Sequence, residues 1–432
     1  MTAGVYMSTF LETWMQRIDG EKLLSELTIP GTHDSGTYRK QGIASATCQT
    51  LNIIGQLTSG IRFLDIRLKR GSDDDGVLWL YHGPIPMDLR FKEDVLENCK
   101  KFLDDNPSET IVMSIKNEMK DPSEEEKEDF FEDVWKIISE SGRFCTDDQV
   151  PKLKDVRGRI VLFRRFWTGQ TTYPVGLNAY DKWPEDSEAA FSNSGAKFYV
   201  QDRYYGWSDG DEKSDKFNYW VKPAFLKASA SPSPDTLFVN FTSGTGILGG
   251  SLPFSSTPRD IANVVNPLVY DYVKEFRVKR YGIVPMDFPE MPDRGVLSKK
   301  LIDLNVFVRN DLNGKRLRNS STEAVYLIVD GTLHHVLTAE SANRIFGKHW
   351  GIDENLHPEN ITNGPVLVDA SLVKFDNREE IFLSFRSRDS DRHVIRHIPN
   401  MALKEQYGLN GTWTNLPEAD RARYILGAPL PA

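Results

Sequence analysis

The chain has 432 residues, of which 27% are charged and 39% hydrophobic, and its formal net charge is −9. A single hydrophobic core stops growing at about 250–300 residues, so this length predicts two domains. The composition is typical of a folded globular protein and excludes a disordered one. The negative charge provides no long-range attraction to nucleic acid, and a nucleic-acid partner is not expected.

The cysteines and the opening residues bear on the compartment of the protein. Cys48, Cys99 and Cys145 lack the spacing of a zinc knuckle or of a disulfide framework, and we interpret them as buried free thiols. Residues 1–7 have neither the basic nor the apolar segment of a secretion signal, and no later stretch has the roughly 18 apolar residues of a membrane span. A cytoplasmic protein is expected if the sequence is complete, and a secreted one if a leader has been removed.

Short apolar runs alternate with amphipathic helical stretches before residue 300. This alternation predicts βαβ units with parallel strands, and eight units are typical of an α/β fold of the TIM-like (β/α)8 barrel type, whose chemistry lies at the C-terminal strand ends. The connection after Arg67 is too short for a crossover helix, so an irregular barrel is expected. The eight predicted strands are 24–30, 60–68, 77–82, 110–116, 159–165, 198–202, 237–241 and 281–288.

A polar stretch at 309–322, containing glycine and serine, predicts a linker. We therefore expect a barrel domain at 1–308 and a small α+β domain at 323–432. Within the second domain, segments 325–347 and 381–408 are alike, because each has β-rich runs followed by a helical stretch that ends in an aromatic residue and glycine. This likeness predicts two β-β-α repeats in an accessory domain.

Chemically capable side chains stand at or just after the ends of the predicted strands. His33 and His82 are the only two of the eight histidines that precede the linker. Neutral imidazole accepts a proton from an attacking hydroxyl and imidazolium donates one to a leaving oxygen, so the pair suits acid–base phosphoryl transfer near neutral pH. The residues at the strand ends are His33, Asp65, Arg67, His82, Lys116, Arg165, Asp202, Ser243 and Asp287.

Several local strings occur in a fixed order along the chain. They include Leu-Thr-Ile-Pro-Gly-Thr-His-Asp-Ser-Gly at 27–36, Gly-Ile-Arg-Phe-Leu-Asp-Ile-Arg at 60–67 and Leu-Tyr-His-Gly at 80–83. Ser-Ile-Lys-Asn-Glu at 114–118, Val-Gln-Asp-Arg-Tyr at 200–204 and Val-Pro-Met-Asp at 284–287 follow. Together they resemble the X domain of the bacterial phosphatidylinositol-specific phospholipases C, over residues 14 to 305.

The resemblance implies a metal-independent phosphatidylinositol diacylglycerol-lyase that acts at a transient membrane interface. Its products are implied to be diacylglycerol and inositol 1,2-cyclic phosphate. His33 is implied to be the general base for the inositol 2-hydroxyl, and His82 the acid that protonates the leaving diacylglycerol oxygen. Asp287 and Asp34 are implied to orient these two histidines and to stabilise their charged forms.

The resemblance also assigns the charged residues around the phosphate. Arg67, held by Asp65, is implied to grip the phosphate and to offset charge that builds in the transition state. Relatives that use calcium place acidic ligands where this chain has Arg67 and Lys116, so neither a metal nor another cofactor is expected. Family positions that line the inositol pocket correspond to Lys116, Arg165, Asp202 and Tyr204. Which of Arg164 and Arg165 points inward depends on strand register, and both alternatives are open.

Other interpretations remain alternatives at the level of sequence. Asp65 and Arg67 also fit a structural ion pair inside a barrel, and the histidines of the second domain, His334, His335 and His397, fit packing better than a metal site. The aromatic residues from Tyr204 to Trp220 suit either a lipid interface or the core. Rival functions are a metal-dependent glycerophosphodiester phosphodiesterase and a non-catalytic barrel that binds inositol lipids.

Overall fold

The structure is a computed structural model, and it divides into two compact units, Met1–Asn305 and Val306–Ala432. Residues 1–9, on which the expectation about a leader rests, lie outside the described residues. No helix among the described residues is both long enough and apolar enough to cross a membrane. The described residues are 10–40, 42–71, 76–193, 195–207, 210–246, 256–276, 278–319, 321–348, 350–353, 358–386 and 392–431.

The first unit is built on one curved sheet. Its central strands are buried along their whole length, which is typical of parallel strands covered on both faces. The strands are β1 (Thr28–Thr32), β2 (Phe63–Arg70), β3 (Leu78–His82), β4 (Ile85–Arg90), β5 (Ile111–Asn117), β6 (Phe144–Cys145), β7 (Ile160–Arg165), β8 (Leu177–Asn178), β9 (Glu188–Asn193), β10 (Ala196–Gln201), β11 (Thr236–Asn240) and β12 (Gly282–Met286).

Seven principal strands run parallel, in the order β7-β5-β2-β1-β12-β11-β10. Among the described residues no hydrogen-bonded pairing joins β7 to β10, so the sheet curls without closing. Across this seam the rings of Phe163 and Phe198 meet edge to face, with centroids 5.6 Å apart. The predicted α/β fold, an irregular TIM-like barrel, is confirmed.

The prediction that 77–82 is a parallel barrel strand is wrong. Strand β3 pairs antiparallel with β2 and forms a hairpin with β4. The physical reason is the short connection after Arg67, since a parallel return needs a crossover of a dozen or more residues and an antiparallel return does not. The first predicted strand also starts late, because Leu24–Glu26 is a 3-10 turn.

Helices pack their apolar faces against the outside of this sheet. The helix Glu124–Ser141 begins at a capping box of Ser123 and Glu126, and it buries Phe130, Val134 and Ile138, which lie one turn apart. The helix Pro258–Val273 begins at a similar box formed by Thr257 and Asp260. The α-helices of this unit are Ile53–Thr58, Glu97–Asp105, Glu124–Ser141, Leu153–Val156, Gly210–Asp215, Lys222–Ala230, Pro258–Val273 and Val296–Asp303.

The second unit contains two sheets and its own core. Leu327, Leu372 and Tyr407 are fully buried members of that core. The segment 309–322, predicted as a linker, contains the strand Arg316–Arg318, which pairs with Val325–Val329 because Arg-Leu-Arg alternates polar and apolar side chains. The elements are β13 (Arg316–Arg318), β14 (Val325–Val329), β15 (Thr332–Val336), α-helix Ala339–Phe346, β16 (Val368–Phe375), β17 (Ile381–Arg386), β18 (His393–Ile398), α-helix Met401–Gln406, β19 (Trp413–Leu416) and β20 (Ile425–Leu426).

Candidate active site

In the turn after β1 the side chains of His33 and Asp34 point in different directions and bind different partners. Asp34 has a φ of 42°, a left-handed conformation that aspartate tolerates better than most residues. Its amide donates to Asp65 Oδ2 at 3.1 Å, which fixes the turn against β2. Gly36 packs closely on Leu80, and a Cβ atom there would lie 2.1 Å from Leu80 Cδ2, so a larger residue would force the Leu80 side chain to move.

His33 lies between an aspartate and an arginine. Its Nδ1 donates to Asp287 Oδ1 at 2.8 Å, and Asp287 follows β12, the strand that pairs with β1. On the other side of the ring, Arg67 Nη2 donates to His33 Nε2 at 2.7 Å. Burial is the largest single effect and lowers the pKa of His33, but the charge and hydrogen bond of Asp287, together with the charge of Asp65, raise that pKa above its ordinary value.

His82 forms the second histidine–aspartate pair. Its Nδ1 donates to Asp34 Oδ2 at 2.6 Å. The sequence predicted His82 at the exit of a parallel strand, whereas it ends the antiparallel strand β3. Because β2 continues to Arg70 before the chain turns back, the return along β3 brings His82 to the mouth of the barrel, beside Asp34. The candidate residue is therefore near its expected place for a different structural reason.

A row of three cations crosses the mouth on adjacent strands. Arg67 on β2 is in register with Lys116 on β5, which is in register with Arg165 on β7. Register partners on parallel strands face the same side, so the three side chains form one positively charged level. Asp65 lies beneath this row and accepts from Arg67 Nη2 at 3.0 Å and from Arg165 Nη1 at 3.3 Å. Burial raises the pKa of Asp65, but the charges of Arg67 and Arg165 outweigh burial and hold this pKa below its usual range.

One cavity of about 260 Å³ contains most of the predicted site. Asp34, Asp65 and Asp287 are buried behind its wall, each bonded to a residue that faces the cavity. Arg164 turns away and donates to the carbonyls of Val175 and Phe166, so the register places Arg165 inward. The cavity is lined by the predicted residues His33, Arg67, His82, Lys116, Arg165, Asp202 and Tyr204, together with Ser45, Gly83, Glu118, Glu185, Tyr205, Gly244, Thr245 and Pro258.

Known proteins resemble this chain over the first unit's length. A family model for the phosphatidylinositol-specific phospholipase C, X domain, matches residues 22–166. The 1-phosphatidylinositol phosphodiesterase of Staphylococcus aureus (strain Newman) is 30% identical over 308 residues, which cover 68% of this chain and 94% of that protein. The chain belongs to this phospholipase C family. The 1-phosphatidylinositol phosphodiesterase of Listeria monocytogenes is 31% identical over 298 residues, which cover 66% of this chain and 83% of that protein.

A solved structure supports the same family at the level of fold. It is the phosphatidylinositol-specific phospholipase C of S. aureus, studied for modulation of its membrane binding. The TM-score is 0.60 and the identity 28%, and the match covers 69% of this chain and 99% of that chain. The membership of this chain in the phospholipase C family therefore rests on both sequence and backbone.

Sequence reasoning missed two residues of the candidate site. Glu118 Oε2 lies 3.1 Å from Lys116 Nζ, and Glu118 Oε1 accepts from the amide of Gly83 at 3.0 Å. Burial opposes ionisation, but the charges of Arg67 and Lys116 lower the pKa of Glu118 to about 2. Its position two residues after Lys116, on the same side of an extended chain, was a signal that could have identified it.

Trp183 is the second missed residue, and it supports two others. The guanidinium of Arg165 lies over the Trp183 ring at 3.6 Å from the centroid. Trp183 Nε1 donates to Asp202 Oδ2 at 2.8 Å. Burial raises the pKa of Asp202. Trp183 lies on a connection far from both partners in sequence, so no local pattern indicated its role.

The aromatic residues after Tyr204 divide between surface and core. Tyr204 and Tyr205 line the cavity, and Tyr219 is 69% exposed. Trp207 and Phe217 are buried members of the core. In the second unit, His335 lies beside the Tyr326 ring and His397 beside the Phe382 ring. Among the described residues of that unit, no group of three histidine, cysteine or carboxylate side chains is arranged around a possible metal position.

Proposed function

We propose that this protein is a metal-independent phosphatidylinositol-specific phospholipase C. In this reaction the inositol 2-hydroxyl attacks the phosphodiester of the same molecule and releases diacylglycerol and inositol 1,2-cyclic phosphate. The observation that carries the proposal is that two histidine–aspartate pairs, His33–Asp287 and His82–Asp34, lie at one cavity with Arg67 beside both. The 1-phosphatidylinositol phosphodiesterase names of its relatives support the same reaction.

The two histidines have complementary roles in the proposed reaction. A guanidinium only donates hydrogen bonds, so the Arg67 contact leaves neutral His33 with its proton on Nδ1 and a lone pair on Nε2. That lone pair takes the proton of the inositol 2-hydroxyl while the hydroxyl oxygen forms its bond to phosphorus. Protonated His82 gives its Nε2 proton to the diacylglycerol oxygen as the old phosphorus–oxygen bond breaks.

Arg67 stabilises charge on the phosphate in this proposal. When the phosphate enters, the guanidinium exchanges its bond to His33 for the phosphate oxygens and frees the base for the hydroxyl. Its Nη2 bond to Asp65 at 3.0 Å keeps the side chain directed into the cavity. A preorganised guanidinium in a water-poor site stabilises developing negative charge much better than water does. This role differs from that of a structural ion pair, since Arg67 faces the cavity.

The geometry of the carboxylates supports metal independence. A hard cation such as calcium needs several free oxygen ligands. Here Arg67 lies 3.6 Å from Asp34, 3.0 Å from Asp65 and 3.8 Å from Glu118, so one guanidinium engages all three carboxylates. A calcium ion would have to displace this guanidinium and leave it buried without an anion.

The other side of the cavity suits a polyhydroxylated ring. Lys116 and Arg165 donate hydrogen bonds, Asp202 accepts them, and Tyr204 offers an aromatic face. We infer that these four residues bind inositol hydroxyls, with Glu118 completing the set. All of them precede residue 309, so the proposed activity belongs to the predicted domain 1–308.

Access to a lipid substrate requires a transient membrane interface. Tyr205 at the cavity and exposed Tyr219 offer amphipathic rings for the lipid headgroup region. The net charge of −9 disfavours attraction to anionic lipids, so we infer binding through apolar contact. Vesicle binding that persists in high salt is expected, and binding abolished by modest salt would contradict this interface.

Phosphorus NMR on phosphatidylinositol vesicles, with a chelator present, tests the proposed function. We expect the lipid phosphodiester signal to be replaced by that of a five-membered cyclic phosphate. His33→Ala and His82→Ala should each abolish the conversion while the circular dichroism spectrum is kept, and His397→Ala in the second unit serves as the control. A chelator-sensitive release of glycerol phosphate would instead support a glycerophosphodiester phosphodiesterase. The absence of any turnover would support a non-catalytic lipid-binding barrel.

A further inference from the structure

Cys48 lies between the two histidine–aspartate pairs, and the proposed reaction does not use it. Its side chain is fully buried. The sulfur, one ring nitrogen of His33 and one carboxylate oxygen of Asp287 all lie within 4.8 Å of one another, and the same holds for the sulfur with Asp34 and His82. The backbone is tied on both sides, since the Cys48 amide donates to Thr37 Oγ1 and its carbonyl accepts from the Phe288 amide.

One polar atom in this cluster lacks a hydrogen-bond partner. Asp287 is 1% exposed, and its Oδ1 accepts from His33, but its Oδ2 meets no donor among the described residues. A buried carboxylate oxygen without a partner costs free energy, so the position favours an electrophile. Among the described residues, Asp34 has no buried oxygen without a partner. A cation site on the His33 side of the Cys48 sulfur is therefore favoured over one on the His82 side.

We propose that His33, Cys48 and Asp287 form an inhibitory binding site for a soft divalent cation of the zinc type. Zinc takes thiolate sulfur at about 2.3 Å and imidazole nitrogen or carboxylate oxygen at about 2.0–2.2 Å, so its ligand atoms lie roughly 3.3–3.7 Å apart. Separations of at most 4.8 Å must change by no more than about 1.5 Å to reach that arrangement. Thiolate ligation selects zinc, cadmium or cobalt over magnesium and calcium.

The proton balance explains why such an ion inhibits. The Cys48 side chain is fully buried, and a buried cysteine in a metal-free protein is an uncharged thiol. A bound cation deprotonates a coordinating thiol, and this proton is released to solvent. The cation binds His33 at Nδ1, the nitrogen that faces Asp287, and neutral His33 then carries its one proton on Nε2. The lone pair that accepts the 2-hydroxyl proton is lost.

The charges around the site determine how tightly a cation binds. Arg67 contacts Nε2 of His33, on the side of the ring opposite the proposed cation, and its positive charge repels that cation. When His33 carries its proton on Nε2, the hydrogen bond from Arg67 to His33 is lost. Asp65 and Asp34 each lie within ion-pair distance of Arg67 and offset this repulsion. The effect on activity rests on the proposed function, whereas the binding of the cation does not.

Cobalt titration of the full chain tests the site without reference to turnover. One equivalent of Co²⁺ should produce a near-ultraviolet sulfur-to-cobalt charge-transfer band in the native protein and in Cys99→Ala, which removes another fully buried thiol. Both Cys48→Ala and Cys48→Ser should lack the band, with folding checked by thermal unfolding. Histidines of the second unit cannot produce a sulfur band. A band that survives in either Cys48 variant, or no band at millimolar Co²⁺, overturns the proposal.

Zinc inhibition of lipid cleavage is the second measurement, scored for each variant against its own metal-free rate. Native protein and Cys99→Ala should be inhibited reversibly, and a chelator should restore the rate. Loss of one ligand should raise the half-inhibitory zinc concentration on the order of tenfold or more in Cys48→Ala. Equal inhibition of Cys48→Ala overturns the site. A cobalt band in a protein that cleaves no inositol lipid would refute the proposed function and leave the metal site standing.

Discussion

Arg67 and His33 form a direct hydrogen bond of 2.7 Å between guanidinium Nη2 and imidazole Nε2. This contact occupies the nitrogen that the proposed reaction needs as a base. It also fixes the tautomer, because Nδ1 then donates to Asp287 Oδ1 at 2.8 Å. The neutral imidazole therefore carries its proton on Nδ1 and its lone pair on Nε2, and in the proposed reaction a phosphate that attracts the guanidinium exposes that lone pair as it binds.

Replacing Arg67 with lysine should reduce kcat/KM by about 100-fold or more, because an ammonium group cannot contact Asp65, His33 and a phosphate in one plane. Steady-state kinetics with phosphatidylinositol measure the loss. Arg70→Lys is the matched control, since Arg70 lies on the same strand but binds Asp129 and Asp133. Comparable activity in Arg67→Lys and Arg70→Lys would contradict the role of Arg67.

Replacing Asp287 with asparagine should move the acidic limb of the pH profile to lower pH. The charge of Asp287 raises the pKa of His33 against the opposing effects of burial and Arg67. In the proposed reaction His33 works unprotonated, so kcat/KM rises as pH increases through that raised pKa, and removal of the Asp287 charge lowers the pKa of His33. The plateau should fall as well, since the imidazolium formed during the reaction loses its counterion. An acidic limb that does not move would show that Asp287 leaves the base unaffected.

Trp183 should affect substrate binding more than turnover. Trp183→Phe keeps a ring beneath Arg165 but removes the donor to Asp202, whereas Trp183→Leu removes both. We expect KM to rise by about 5- to 10-fold in Trp183→Phe and further in Trp183→Leu, with smaller changes in kcat. Trp79→Phe, which alters a tryptophan beside Arg90 instead, is the control. A fall in kcat alone would contradict a positioning role.

Glu109 should matter for stability and not for chemistry. It pairs with Arg62, and both side chains are fully buried, with Arg62 Nη2 donating to Glu109 Oε2 at 2.8 Å. Glu109→Gln leaves a buried guanidinium charge uncompensated, which should lower the free energy of unfolding by about 3–5 kcal/mol. Urea unfolding measures this change. Glu97→Gln breaks an exposed pair with Lys100 and should cost less than about 1 kcal/mol.

Several predicted site residues lie at the strand positions that the sequence indicates, because side-chain alternation and the strand-end rule determine those positions. Asp65 and Arg67 are two residues apart on one strand, so alternation alone places them on the same face. His33 and Asp287 follow strands that turn out to be neighbours in the sheet. A strand-end rule for parallel barrels therefore identifies this side of the site without any knowledge of tertiary contacts.

The features that the sequence could not provide depend on long-range packing. His82 lies on an antiparallel hairpin strand, and the length of the connection excluded a crossover helix without specifying the return. Register between β5 and β7 decided between Arg164 and Arg165, and no single strand encodes its register. The three cysteines are buried free thiols, as predicted, but no local pattern indicates that Cys48 lies beside both histidine–aspartate pairs.

No backbone pairing joins β7 to β10 among the described residues, and this boundary runs through one side of the candidate site. Arg165 ends β7 and Asp202 follows β10, so these two residues, which we propose bind the substrate, lie on opposite sides of this boundary and are joined through the indole of Trp183. In the described part of the chain, the facing edges of β7 and β10 pair with the edge strands β8 and β9 and not with each other. Separating β7 from β10 therefore breaks side-chain contacts between them, whereas opening beside His33 breaks the backbone ladder between β1 and β12. Amide hydrogen exchange should therefore be faster in the edge strands β8 and β9 than in β1 and β12, and the proposed contacts of Arg165 and Asp202 with inositol should loosen before the His33–Asp287 pair separates.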